Sequence, residues 1–534
     1  MSEMRESPMQ RVIQNMPLDI YQEILSHFGS PLEYKHAPID VKPDMTSPRN
    51  RTIRSMALVC RDFYRQFFPY LFEDVYINVD ATGGYTPSHC ARFCESIVCG
   101  DQRARNLATY VKTYAIMRFE LASKYRTSPE PEHLKENLSI YSKALGFMSN
   151  LRELYLFQSS ITDDLLRATQ SLSPLKLLHI QDCNVPYPLD ESLLRDFQNL
   201  QITRVHESNM DFVSQGGDEC EPYRQLLKHI CLSHTTYLKS SPGQCYSLSV
   251  LALLPPMLYL QRLHISRLTI AKHLSALSDA LKAMPNLKSL QIHFIYYYFD
   301  EGTEIEPWMT FPPLPMLENI SAHLPALRAI VPGSLVSSIS IVEEDNAHQG
   351  PIPYGNDRAF WKHVTEVFKK SHRPIEELDI PMNFYRNVSF ASYFPDLRLL
   401  TVRPKHINWS DESDAADDPS RGEPDGIIST FLGTWHDHPK LTELEFAYDS
   451  SSSPLPTGEE EGGLIQYRIC DVSDDTLASL KSRLPTLQRL AFTVFHPTYD
   501  DEKKDCFEFF LDEEDEPETV DSNSAASTEA QDQM

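Results

Sequence analysis

The chain has 534 residues, 38 prolines against 18 glycines and a formal net charge of −26, a length that accommodates two to four conventional domains or one domain followed by an extended repeat array. No run of about 18 apolar residues occurs, so no membrane span is expected, and Met1-Ser-Glu-Met-Arg-Glu-Ser-Pro8 lacks the apolar stretch of a secretory signal. The ten scattered cysteines suit reduced thiols in the cytosol or nucleus, and the absence of a basic stripe disfavours direct nucleic-acid binding.

Residues 1–10 read as a disordered N-terminus. The next segment, Asn15-Met-Pro-Leu-Asp-Ile-Tyr-Gln-Glu-Ile-Leu25, reads as a helix. Asn15 can cap it, and Pro17 suits a first turn, where its missing N–H costs nothing. Ile20, Ile24 and Phe28 follow at i, i+4 and i+8 with Tyr21 and Leu25 beside them, one broad apolar face, and Gly29 ends it. Residues 30–51 carry Pro31, Pro38, Pro43 and Pro48 and read as an irregular surface loop. A second helix is expected to carry Ile53, Met56, Ala57, Cys60, Phe63, Tyr64 and Phe67 as one continuous stripe. Leu58 and Val59 lie off that stripe and add apolar surface on another side, the kind of surface that marks a partner site.

The order Met16-Pro17, Ile20, Ile24-Leu25, Leu58-Val59-Cys60, Phe63 and Leu71-Phe72 resembles an F-box. Met16 stands where that family usually has Leu, Phe63 where many members have Trp, and the 30–51 loop is longer than the usual connection. The resemblance implies that residues 11–76 dock the chain onto the Skp-type adaptor of a cullin-based ubiquitin ligase. Its adaptor-binding residues would be Met16, Pro17, Ile20, Ile24, Leu25, Leu58, Val59, Cys60 and Phe63.

Further along, His89, Cys90, Cys94 and Cys99 invite a zinc reading, but Cys90, Cys94 and Ile97 at i, i+4 and i+7 are explained by the core face of a helix. A recurring theme then begins. Leu151-Arg-Glu-Leu-Tyr-Leu156 is echoed by lines starting at Leu175, Leu260, Leu287, Ile375, Leu397, Leu441 and Leu487, most of them led in by a proline. Several spacings fall near one or two units of 22–27 residues. Divergent copies are expected at Leu107–Val111, Gln201–Val205 and Leu324–Ile330. Helices are expected between strands at 163–172, 274–284 and 474–484. This resembles the leucine-rich repeat, whose period of about 20–29 residues carries an L-x-x-L-x-L strand, with the family's turn asparagine only irregularly present. The expected fold class is α/β: a small helical F-box followed, over 77–500, by a leucine-rich-repeat-like curved solenoid of parallel strands and helices. An ordinary α/β domain with crossover helices is the plainer alternative.

Three acidic stretches hold most of the charge. Asp500 to Met534 has 14 acidic residues against two lysines; Ser410–Gly426 and Glu459–Glu461 add more. They lack periodicity, so insertions near 409–426 and 449–463 and a tail over 501–534 are expected to be disordered and solubilising. The aromatic run Phe294–Phe299 reads either as a strand or as recognition surface. No G-x-x-x-x-G-K-[ST], G-x-G-x-x-G, G-x-S-x-G or H-E-x-x-H pattern is present. Trp435-His-Asp-His-Pro439 reads as a solvated turn. The four N-x-S sites at Asn137, Asn319, Asn387 and Asn408 are expected to stay unglycosylated. No cofactor, metal or catalytic residue is expected, and no nucleic-acid or membrane partner. An F-box before leucine-rich repeats implies a non-catalytic substrate receptor of an SCF-type ligase, cytoplasmic and/or nuclear, bound to adaptor and cullin and holding a protein target. A non-degradative F-box scaffold is the second reading.

Overall fold

The computed structural model describes residues 48–59, 61–78, 89–117, 132–181, 183, 200–206, 226, 234–241, 256–265, 277–292, 311–342, 358–387, 393–403, 424–433, 440–449, 472–496 and 503–511. The chain divides into two compact units, one formed by Met1–Pro353, His363–Pro374 and Thr498–Glu502 and the other by the remainder. Both are α/β.

The first unit opens with helices α1 (Pro48–Ala57) and α2 (Arg61–Phe67) and a 3-10 turn, Phe68–Phe72. Ten strands follow: β1 Asp74–Asn78, β2 Thr113–Met117, β3 Glu153–Phe157, β4 Leu177–Gln181, β5 Ile202–His206, β6 Tyr237–Ser241, β7 Arg262–Ile265, β8 Ser289–Ile292, β9 Asn319–Ala322 and β10 Ser338–Ile341. They lie in chain order, each parallel to the one before. Parallel neighbours require a crossover; among the described residues helices lie between β1 and β2 (α3 His89–Val98, α4 Gln102–Ala108), β2 and β3 (α5 Glu132–Leu145), β3 and β4 (α6 Asp163–Gln170) and β9 and β10 (α7 Leu324–Ile330). Thr162 caps α6 through Leu165 N–H at 3.3 Å, and Asp101 caps α4 through Arg103 N–H at 2.8 Å, each meeting an orphan donor of a first turn.

The leucine lines supply the core. Leu151, Leu154 and Leu156, then Leu175, Leu178 and Ile180, are buried in one cluster with Cys94 and Ile97 of α3 and Tyr141 of α5. Alternation along a strand puts every second side chain on one face, so Ala115, Tyr155 and Leu177 form a smaller cluster on the other face of β2–β4.

Stacking between repeats is done largely by backbone. The carbonyl leading into one strand accepts two successive N–H groups from the next repeat: Lys112 O takes Arg152 N (2.8 Å) and Glu153 N (3.0 Å), and Arg152 O takes Lys176 N (2.8 Å) and Leu177 N (3.0 Å). The same forked bond recurs through Glu318 O, which takes Ser337 and Ser338 N–H. Side chains add rungs where they can: Asn150 Nδ2 donates to Thr109 O at 2.7 Å and Asn286 Nδ2 to Leu258 O at 2.8 Å.

The second unit holds residues 358–362 of α8 (Arg358–Phe368), with α9 (Met382–Asn387), α10 (Pro424–Gly433) and α11 (Asp474–Arg483). Strands β11 Glu377–Pro381, β12 Leu399–Arg403, β13 Glu443–Asp449 and β14 Arg489–His496 run parallel; β15 Lys503–Phe510 is antiparallel to β14. Its core is aromatic: Tyr385 stacks on Phe431 at 4.5 Å, Phe431 meets Phe446 edge-on at 5.6 Å, and Phe446 stacks on Phe492 at 5.6 Å. Phe492 is fully buried. Phe492→Ala is expected to lower unfolding free energy by about 3–5 kcal/mol, the usual cost of emptying a closed phenylalanine site, as read by urea denaturation.

All eight leucine lines are strands, and Gln201–Val205 is β5. Several expectations are corrected. Leu107–Val111 is the end of α4 and a turn, the strand lying at 113–117. Leu324–Ile330 is helix α7, because Pro325 occupies its first turn, and the strand precedes it at 319–322. The loop assigned to 30–51 ends earlier, since α1 starts at Pro48, a residue preset for a first turn. The tail assigned to 501–534 begins later, since residues 503–510 are β15: only six residues separate it from β14, too few for a crossover, so it returns antiparallel. The insertions are likewise trimmed where β13 reaches Asp449 and α10 starts at Pro424. The Phe294–Phe299 run, Trp308, His436, His438 and the glycine pairs at 83–84, 216–217 and 462–463 lie outside the described residues.

Candidate functional site

The expected continuous second helix is two helices. A stripe at helical spacing does not reveal a break that returns to the same face, and the break falls at Leu58–Val59. Leu58 N–H donates to Arg54 O and Ser55 O, both at 3.2 Å, and Val59 N–H to Met56 O at 3.1 Å, so the turn satisfies its donors while its two side chains point away. Leu58 is 84% exposed and Val59 65%.

Part of the stripe is buried within the hairpin itself. Ile53, Ala57, Phe63 and Phe67 form a cluster closed by Met56, Tyr70 and Leu71. Phe63 stacks on Phe67 at 5.5 Å, and Phe67 meets Tyr70 at 6.2 Å. Phe63, named from the sequence as an adaptor contact, is thus a core residue of the hairpin. Tyr64, expected on the buried stripe, is 42% exposed and stacks on Phe68 at 4.6 Å. The hairpin is anchored to the repeats through Phe72, whose ring lies 5.7 Å from Phe93 of α3. Met16, Pro17, Ile20, Ile24, Leu25 and Cys60 lie outside the described residues, so of the nine expected contacts the structure places Leu58, Val59 and Phe63.

Arg51, Arg54, Arg61 and Arg65 are all exposed on these two helices. Leu58 and Val59 are therefore an exposed apolar tip between two helices that carry four exposed arginines, in a chain that is strongly acidic overall. Sequence inspection alone missed this run of arginines, although the signal was there: residues 48–67 contain five arginines and a single acid, Asp62.

The cysteines hold no such promise. Cys94 is buried on α3, with its Sγ 3.4 Å from Tyr114 Oη, and that hydroxyl reaches Tyr141 O at 3.3 Å. Burial pushes the Cys94 thiol up to about 12, the hydrogen bond to Tyr114 only partly opposing it. Its thiolate fraction at neutral pH is then negligible, and the thiolate is the nucleophile. In native protein at pH 7, a maleimide is expected to label exposed Cys99 and spare Cys94, with labelling of Cys94 appearing on denaturation; peptide mapping reads both. Among the described residues, no group of three His, Cys, Asp or Glu side chains could hold a metal ion, and no helix is long and apolar enough to cross a membrane.

No family model matches the chain, and no curated protein matches it. Among solved structures, the crystal structure of the Rad7 and Elc1 complex in yeast aligns over 90% of this chain and 92% of that chain at 11% identity, with a TM-score of 0.29. A likeness that distant carries no inference about function.

Proposed function

We propose that the chain is the substrate-recognition subunit of an SCF-type cullin ubiquitin ligase, with residues 11–76 acting as an F-box that docks on a Skp-type adaptor and the repeats holding a protein target. The observation that carries this reading is the Leu58–Val59 tip. Among the described residues of the α1–α2 hairpin it is the most exposed apolar surface, and it coincides with the Leu-Val positions of the F-box pattern. The exposed arginines of the same two helices would favour a partner that carries carboxylates nearby, since complementary charge sets encounter rate and orientation. Catalysis would then be positional: a target held on the repeats presents its lysines at high effective concentration to a ubiquitin-loaded enzyme on the same scaffold, and this chain supplies no nucleophile.

Co-purification tests it. The tagged chain is expected to bring down both adaptor and cullin, and Pro17→Ala with Leu58→Ala to lose both. Recovery of adaptor without cullin would favour a non-degradative scaffold; recovery of neither would overturn the F-box reading.

A further inference from the structure

Ser55 lies in the last turn of α1, which ends at Ala57, and its side chain is exposed. Its carbonyl accepts the N–H of Leu58 at 3.2 Å, so the serine stands one turn before the candidate docking tip. Residues three apart on such a turn have Cβ atoms about 5–6 Å apart. Arg51 precedes Ser55 by a full turn and Arg54 adjoins it, both exposed, and α1 contains no acidic residue. Other serines in basic surroundings differ. Ser371, between Lys370 and His372, is half-buried and donates its hydroxyl to Val336 O at 2.6 Å. Ser482, between Lys481 and Arg483, is exposed on α11 but belongs to the second unit and forms no part of the tip.

We propose that Ser55 is a phosphorylation site at which a kinase selecting basic flanks switches adaptor docking off. The inference rests on the F-box reading and adds its regulation. The step is phosphoryl transfer from a nucleoside triphosphate bound to that kinase. The bond from Ser55 Oγ to the γ-phosphorus forms, the bond from that phosphorus to the bridging oxygen breaks, the hydroxyl proton passes to the kinase's base and the diphosphate departs. Position favours access, because the terminal turns of a helix open at the lowest free energy. The arginines act twice. Before transfer they complement a kinase cleft lined with carboxylates. After it, Arg51 at i−4 is placed to hold the phosphate, which offsets the unfavourable placing of an anion at a helix C-terminus.

The modification adds a charge of about −1.5 to −2 at neutral pH. A tip entering an apolar pocket would carry this strongly hydrated group close behind Leu58, and burying charge without a partner is costly. The phosphate also offsets about half the formal positive charge of residues 48–67, five arginines against Asp62, and so weakens attraction to carboxylates on the adaptor. Both effects act on docking, and neither reaches the cluster of Ile53, Ala57, Phe63 and Phe67 inside the hairpin.

Two measurements on the full chain test this. In the first, the chain is incubated with ATP and a purified kinase that selects basic flanks, and the modified residues are mapped by tandem mass spectrometry. Phosphate is expected on Ser55 and not on Ser371, and Ser55→Ala is expected to remove it; an unmodified Ser55 would overturn the proposal. In the second, purified Skp-type adaptor is titrated onto immobilised chain carrying phosphoserine at position 55, installed during translation. Affinity is expected to fall at least tenfold with the thermal midpoint held within about 3 °C, and phosphatase treatment is expected to restore it. Should the midpoint fall further, Ser55→Asp serves instead, with a loss of about threefold. Ser55→Ala and a chain with phosphoserine at position 482 are expected to bind as the unmodified wild type does. Unchanged affinity with phosphoserine at 55, an equal loss with phosphoserine at 482, or a loss that phosphatase does not reverse would also overturn the proposal. An unmodified wild type that captures no adaptor overturns the F-box reading and the switch with it, whereas capture that survives the phosphate overturns the switch alone.

Discussion

A chain carrying Leu58→Asp and Val59→Asp is expected to retain its thermal midpoint within about 2 °C and to capture no Skp-type adaptor. Both side chains are largely exposed, so their replacement removes little folding energy; surface changes away from special features stay within about 0.5 kcal/mol each. Docking is the opposite case. Burying a leucine or valine contributes about 1.5–3 kcal/mol, so losing both corresponds to roughly 100-fold or more in affinity. A carboxylate forced into an apolar pocket adds a desolvation cost on top. Binding of purified adaptor to immobilised chain reads the affinity, and differential scanning fluorimetry reads the fold. Undiminished adaptor capture by the double variant would remove the tip from the interface. Phe63→Ala is expected to behave differently, lowering stability and binding together, because that ring lies inside the hairpin.

Truncation after residue 502 is expected to destabilise the second unit by at least about 3–5 kcal/mol and to cause aggregation, whereas truncation after residue 511 leaves stability unchanged. The difference is β15. Phe509 closes on Phe492 edge-to-face at 6.1 Å, Glu508 binds Arg489 at 2.7 Å, and Leu511 N–H donates to Gln488 O at 2.9 Å. Loss of the partner of one buried phenylalanine is already comparable to a phenylalanine truncation. It also exposes β14, Arg-Leu-Ala-Phe-Thr-Val-Phe-His, as a long edge with unpaired amides, a template for association between chains. The Arg489 guanidinium, held between Glu508 and Glu443, would keep a single carboxylate. Urea unfolding monitored by circular dichroism, with light scattering on the same samples, distinguishes the two truncations.

The sequence made the repeat strands legible because leucines at fixed offsets report a buried face directly, and Leu154, Leu178 and Leu290 are where that pattern put them. It failed where burial is achieved by other residues. β2 is Thr-Tyr-Ala-Ile-Met and β6 is Tyr-Leu-Lys-Ser-Ser, neither with a second leucine, and β6 has Ser240 in register with Val205 and Ile265. Leu324–Ile330 matched a strand by composition, but proline in the first turn decided for helix. The end of the chain was misjudged because net acidity masked an alternation, Cys506-Phe-Glu-Phe-Phe510, that suits a strand with one covered face. At the candidate docking tip, Leu58 and Val59 were legible as residues off the stripe. The break that exposes them was not, since Ile53, Ala57 and Phe63 return to the same cluster on either side of it.

The forked bonds that join successive repeats have an evolutionary consequence. Donor and acceptor both belong to the main chain, so no side chain has to be inherited for the joint to form. Whatever lies between two strands can then lengthen, shorten or change character through insertion and drift, provided each strand arrives with its amides free. Consecutive parallel strands begin as little as 19 residues apart, from Asn319 of β9 to Ser338 of β10, and as much as 46 apart, from Glu443 of β13 to Arg489 of β14, a latitude that a joint made of main chain alone permits.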